Sequence, residues 1–309
     1  MVIGELRIKI QNDPVRESAK SDQKVAVVTG SSSGIGYATV LQLARSGYFT
    51  FATMRDPAKG VDLIKAAENE NLPIQVEQLD VTDPASIKDF MMRTVVDGQS
   101  VGRIDVLVNN AGYGLMGALE DLSMKEIQNQ LDTNLLGLIQ VTQQVLPVMR
   151  AHRSGIIVNI SSALGRFGLQ GMSAYVATQF ALEGLSESLA YEVAPFGIKV
   201  IIIEPGVVKT KFQKNSFVGK GTLREDSPYS GMLSDLNAQF NALFENGSVP
   251  DLVAAKILEA ITSQEPKLRY PVGQDSVTLL EKKSMMTDEQ FQDYMKSYIE
   301  SPAAITTQR

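Results

Sequence analysis

The chain reads as an α/β protein, a single domain on a doubly wound parallel sheet. Three observations lead there. Short β-branched runs alternate with helix-length periodic stretches from Lys24 onward, the pattern of βαβ units. The first run leads directly into a glycine-rich turn and then a helix. Finally, 44% hydrophobic and 21% charged residues over 309 positions suit one large buried core.

Strands are expected at 25–29, 49–53, 74–79, 106–109, 155–160 and 200–204, with a seventh at 267–271. Helices are expected near 35–46, 57–69, 84–97, 123–150 and 173–194. Right-handed crossovers then place helices on both sheet faces. Residues 211–249 break the alternation, mixing Gly219, Gly221 and Pro228 with Phe212, Phe217, Tyr229, Met232, Leu233, Phe240 and Phe244. Such an insertion beside a strand's C-terminal end suits a lid over a hydrophobic ligand, or equally a helix covering core. Residues 1–22 are expected to be a disordered extension, 23–275 the dinucleotide-binding domain, and 276–309 a C-terminal extension. That extension carries a helix capped by Thr287, with Gln290 three residues on as in a capping box.

Composition excludes several kinds of function. A net charge of −6 and a pI near 5.1, without clustered Lys or Arg, argue against nucleic acid or an anionic membrane as partner. With no cysteine, disulfides, thiolate catalysis and thiolate metal sites are impossible. His152 is the only histidine, so a multi-histidine zinc site is impossible too. It follows a helix end, where a cation complements the helix dipole. The N-terminal stretch has neither the apolar core of a signal peptide nor an Arg-rich transit pattern, and no apolar run reaches membrane-spanning length, so a cytoplasmic location is expected.

The turn after the first strand reads TGSSSGIG at 29–36, placing Gly30, Gly34 and Gly36 where a phosphate must approach backbone N–H groups. Its spacing differs from G-x-G-x-x-G, since three residues separate the first two glycines. The second strand ends in Met54, Arg55 and Asp56. An arginine there suits a 2′-phosphate and an acidic residue suits a free ribose hydroxyl, so NADP is expected over NAD, with Arg55 as a solvated loop residue the alternative.

A serine, Ser162, precedes Tyr175 by thirteen residues, and Gln179 follows that tyrosine at i+4 on the same helix face. Together with NNAG at 109–112, Asn134 and PGVVKT at 205–210, these motifs resemble the short-chain dehydrogenase/reductase family over residues 24 to about 275. FATMRDP, YVATQFALEGLSESLA and RYPVG are similar to the branch containing 17β-hydroxysteroid and retinol dehydrogenases. The resemblance implies a Rossmann-like fold and an NAD(P)-dependent oxidoreductase for hydrophobic alcohols and ketones. By that resemblance Gly30, Ser33, Gly34, Ile35 and Gly36 would hold the pyrophosphate, Arg55 the adenosine end and Asp80 the adenine. Asn110, Ala111 and Gly112 would line the cofactor cleft, and Val207 and Thr210 would flank the nicotinamide carboxamide. Tyr175 would be the general acid or base, Ser162 would bind the substrate oxygen, and Asn134 would hold a relay water. The bland alternatives are a turn-capping Ser162 and an ordinary helix tyrosine.

The family pattern has a lysine where this chain has Gln179. A lysine lowers the phenol pKa from about 10 by roughly 1 to 3 units and grips the nicotinamide ribose. Glutamine keeps hydrogen bonds but no charge. Lys209 and Lys211 are the remaining candidates to lend positive potential. Two readings follow: a weakened NADP-dependent enzyme, or a catalytically silent NADP-binding sensor or scaffold. The resemblance also implies a homo-dimer or homo-tetramer through the helices at 123–150 and 173–194.

Overall fold

In a computed structural model of the chain, residues 20, 22–97, 100, 102–210, 217–224 and 226–300 are described. The expectations for residues 1–22 and for Lys211 therefore fall almost wholly outside the described residues. Seven parallel strands form the central sheet: β1 (Val25–Val28), β2 (Phe49–Met54), β3 (Ile74–Gln78), β4 (Val106–Asn109), β6 (Gly155–Ile160), β7 (Ile198–Pro205) and β9 (Arg269–Val272), in the order β3-β2-β1-β4-β6-β7-β9. The chain runs outward from β1 in one direction and, from β4, in the other. That reversal creates the crevice beyond the strand ends where α/β sheets bind ligands.

Helices cover both faces because successive strand residues point to opposite sides. Val25, Val27, Phe49 and Phe51 face one side, packed on Phe90 of α3 (Pro84–Met91), Val141, Val145 and Met149 of α5 (Gly137–His152), and Leu189 and Val193 of α6 (Ser173–Val193). Ala26, Val28, Ala52 and Met54 face the other, against Val40 and Leu43 of α1 (Gly34–Arg45), Leu63 of α2 (Val61–Glu70) and Val253, Ile257 and Ile261 of α8 (Pro250–Thr262). Phe51 is fully buried, edge-on to Phe49 at 5.1 Å and to Phe90 at 5.9 Å. Burying such a ring contributes roughly 1.5–3 kcal/mol.

Three expected helices are interrupted, among them 84–97, where α3 gives way to a π turn at Met92–Val96. The 57–69 segment begins as a 3₁₀ turn at Pro57–Gly60 before α2, and 123–150 divides into α4 (Met124–Leu131), a π turn at Asp132–Leu136, and α5. The region 211–249 contains regular structure where it is described. Strand β8 (Phe217–Val218) pairs with β5 (Leu115–Met116), and α7 (Ser230–Glu245) lays Leu233 and Leu236 on Met116, Met172 and Tyr175. The expected domain boundary at 275 falls inside α9 (Gln274–Met285). The final helix α10 (Asp288–Glu300) carries the expected capping box, with Thr287 N donating to Gln290 Oε1 at 3.0 Å and Gln290 N to Thr287 Oγ1 at 3.3 Å. His152 ends α5, its Nε2 donating to Gly102 O at 3.0 Å. No helix among the described residues is long and apolar enough to cross a membrane.

Candidate active site

A cleft of about 1080 Å³ runs along the C-terminal edge of the sheet. Its wall crosses from Arg55 after β2, past Gly30 and Asn110–Gly112 after β1 and β4, to Ser162 after β6 and Gly206 after β7. With neighbouring strands about 4.8 Å apart, β2 and β7 are separated by roughly 19 Å, a span suited to an extended dinucleotide.

The turn after β1 is shaped by close backbone approach. Gly30 has φ +66°, and a Cβ on it would lie 2.7 Å from Ala111 Cα. Gly34 has φ +61° and faces Thr210, whose Cβ would lie 3.0 Å from a side chain there. Gly36 is buried behind the wall, where a Cβ would meet Asn110 Nδ2 at 2.5 Å. Asn110 Nδ2 donates to the carbonyls of Thr29 at 2.9 Å and Gly30 at 3.0 Å, and Thr29 Oγ1 accepts from Asn110 N and Ala111 N, both at 3.0 Å. These bonds clasp the two strand ends together. Ser33, the N-cap of α1, spends no side-chain hydrogen bond on the helix, and the first turn carries no acidic residue. The positive helix end is thus open toward the cleft, alongside Ser33, Gly34 and Ile35.

At the far end, Arg55 lines the cleft and Lys59, not singled out from sequence, lines it as well. Asp56 is not on the cleft wall, and its Oδ1 accepts from Ala58 N at 3.1 Å as cap of the Pro57–Gly60 turn. Asp80 lines the same end, its Oδ1 accepting from Thr82 N at 2.9 Å and Thr82 Oγ1 at 2.8 Å.

At the other end Ser162, Tyr175 and Gln179 come together on the wall. Ser162 Oγ accepts from Leu164 N at 3.1 Å, capping a short turn, and is also hydrogen-bonded to the Tyr175 hydroxyl. Burial pushes the Tyr175 phenol up to about 12, and the Ser162 bond opposes that shift without overcoming it. Lys209 is exposed and off the cleft wall, a surface residue that does not reach Tyr175's end of the cleft. Gln179 is 4% exposed, and its Oε1 has no hydrogen-bond partner among the described residues. An unpaired buried acceptor is unfavourable, and a ribose hydroxyl donor would satisfy it.

Asn134 sits in the π turn and on the cleft wall, but its amide is engaged: Oδ1 accepts from Tyr113 N at 3.1 Å and Nδ2 donates to Tyr113 O at 2.9 Å. It therefore braces the segment after Gly112. Thr210 lines the cleft, whereas Val207 does not; its neighbours Gly206 and Val208 do. Tyr113, which follows NNAG directly and carries no motif signal of its own, also lines the cleft; its ring meets Phe217 edge-on at 5.2 Å. The residues present thus fit a nicotinamide dinucleotide: a glycine cradle that side chains would fill, an open helix end, and an orphaned acceptor beside Tyr175.

The family profile described as short chain dehydrogenase matches residues 24–220, well over half the chain. The chain belongs to the short-chain dehydrogenase family. It is 40% identical over 267 residues to the uncharacterized oxidoreductase YusZ of Bacillus subtilis, covering 84% of this chain and 92% of that protein. To retinol dehydrogenase 8 of Bos taurus it is 36% identical over 271 residues, 85% of each chain. A short-chain dehydrogenase structure from Streptomyces avermitilis superposes with a TM-score of 0.76 at 32% identity, covering 92% of this chain and 99% of the other. A metagenomic short-chain oxidoreductase in complex with NADP superposes with a TM-score of 0.64 at 26% identity, covering 81% and 96%. The protein is an NAD(P)-dependent short-chain dehydrogenase/reductase with the family's Rossmann-like fold, and it resembles retinol dehydrogenases within that family.

Proposed function

We propose that this short-chain dehydrogenase/reductase uses NADP to interconvert a hydrophobic secondary alcohol and its carbonyl, steroid- or retinoid-like, at a rate reduced by Gln179. The observation that carries the reading is the Ser162–Tyr175 pair beside an apolar wall. Tyr175 packs in one cluster with Met116, Met172, Leu233 and Leu236, and Phe217, Val218 and Leu223 line the cleft. Retinol dehydrogenase 8 as a relative supports the substrate class, and Arg55 with Lys59 supports the phosphorylated cofactor.

A bound nicotinamide supplies or accepts the hydride at the carbon bearing oxygen. In reduction, Tyr175 gives its proton to that oxygen as the carbonyl π pair moves onto it; in oxidation Tyr175 takes the proton back. Ser162 Oγ holds the same oxygen, and Gln179 Oε1 accepts from a ribose hydroxyl.

The second reading, a catalytically silent NADP-binding sensor or scaffold, is favoured by the Tyr175 phenol at about 12 and by the uncharged Gln179 four residues on. One experiment separates the two: NADPH titration by nicotinamide fluorescence, beside turnover on a panel of steroids, retinoids and simpler ketones, for the native chain and Gln179→Lys. Binding without turnover in either chain rejects the enzyme reading. Turnover that disappears in Tyr175→Phe rejects the silent one.

We also infer a cytoplasmic homo-dimer or homo-tetramer paired through the helices at 123–150 and 173–194, that is α4, α5 and α6. Phe180 on α6 is 45% exposed, beside a shallow depression lined by Leu169, Val176 and Ala177. Light scattering that gives only the monomer mass would refute the oligomer.

A further inference from the structure

The loop leaving β7 is held from a distant part of the chain. Val207 N donates to Asp275 Oδ2 at 2.6 Å, across 68 residues of sequence. Gly206 has no room for a side chain, because a Cβ there would collide with both Asp275 carboxylate oxygens. Gly273, at φ +94°, is shaped by the same carboxylate: a Cβ on it would lie 2.7 Å from Asp275 Oδ1. The next residue, Ser276, is fully buried and donates from Oγ to Glu204 O at 2.7 Å. Two successive residues at the start of α9 thus fix the whole Glu204–Val207 segment. Pro205 and Gly206 of that stretch, with Val208 just after it, form the cleft wall at the end where Tyr175 and Gln179 lie.

A carboxylate accepting one backbone N–H is a charge-assisted bond, stronger than a neutral one and directional. Here it holds a segment that closes the cleft's catalytic end and that is also tied to Ser248, whose N donates to Val207 O at 2.9 Å. We propose that Asp275 is a positioning residue for the nicotinamide half of the cofactor, acting through the Gly206–Val207 backbone. This rests on the reading that the nicotinamide lies beside Tyr175.

The test uses two ligands and two variants of the full chain, with affinities measured by calorimetry. NADPH spans the whole cleft, whereas adenosine 2′,5′-bisphosphate occupies only the Arg55 end. Asp275→Ala is expected to weaken NADPH about tenfold, the loss of one hydrogen bond to a charged group, and to leave adenosine 2′,5′-bisphosphate unchanged. Asp275→Asn, whose amide oxygen still accepts from Val207 N–H, is expected to restore most of the affinity. An equal loss for both ligands would mean that Asp275 only supports the fold, and an unchanged NADPH affinity would mean that the loop needs no anchor; either overturns the inference. If the native chain binds neither ligand, the cofactor reading itself falls, and this inference with it.

Discussion

Tyr175 and Gln179 face one cleft from successive turns of α6, 7% and 4% exposed, and the Ser162 hydroxyl lowers the tyrosine's pKa against the larger effect of burial. A cation at position 179 would act on the phenol through a desolvated medium, where charge is felt strongly. Gln179→Lys is therefore expected to raise turnover by about 10- to 1000-fold, matching a pKa lowered by roughly 1 to 3 units. In the oxidation direction the rate rises with pH as the phenol ionises, so the break in the kcat/KM profile moves to lower pH in the variant. A profile that does not move would show that Tyr175 is not the titrating group.

The same phenol has a consequence for stability. Its folded pKa of about 12 lies above the unfolded value of about 10, so the folded chain holds the proton more tightly. The stabilisation is fully present below pH 10 and is lost as pH rises from 10 to 12, by about 3 kcal/mol. Tyr175→Phe lacks this term. Urea denaturation at pH 9 and pH 11 should therefore show a smaller alkaline loss in the variant than in the native chain; equal losses would contradict the buried phenol.

Arg55 and Lys59 line the adenosine end, and Asp56 is occupied as a cap. Arg55→Ala is expected to weaken NADPH by about tenfold or more, the scale of one charge-assisted bond, while NADH changes little. Fluorescence titration with both cofactors reads the ratio directly. Equal weakening of the two would remove the 2′-phosphate from the argument.

How far the fold and site could be read from sequence depends on the range of the contacts. The sheet is legible because β1, β4, β6 and β7 are short runs rich in Val and Ile, and Val106–Asn109 and Gly155–Ile160 fall where expected. The glycine turn is legible because φ and close approach restrict residue type locally, as at Gly30. Helix α8 carries an amphipathic pattern of its own in Val253, Ile257 and Ile261 behind Pro250, so it too is legible locally. Asp275 is different: nothing near it in sequence says that its partner is Val207, since the bond exists only after β7 and β9 have paired. The Asn134 amide is likewise claimed by Tyr113, twenty-one residues away, which its motif does not reveal.

Two glycines separate backbone strain from cofactor recognition. Gly30 and Gly47 both hold positive φ, +66° and +88°, so an alanine at either is strained by about 1–2 kcal/mol. Around Gly47 a Cβ would meet nothing within 4 Å, and it lies away from the cleft wall. At Gly30 the same methyl would press on Ala111 Cα at 2.7 Å, forcing apart the two strand ends that Asn110 and Thr29 clasp. Gly47→Ala is expected to lower stability by that strain alone and to bind NADPH normally. Gly30→Ala is expected to lose more stability, and most cofactor affinity with it, because the pyrophosphate cradle and the cleft's middle wall move together. Thermal melts and NADPH titrations on both variants check this. Normal binding by a folded Gly30→Ala chain would mean that the turn after β1 does not hold the cofactor.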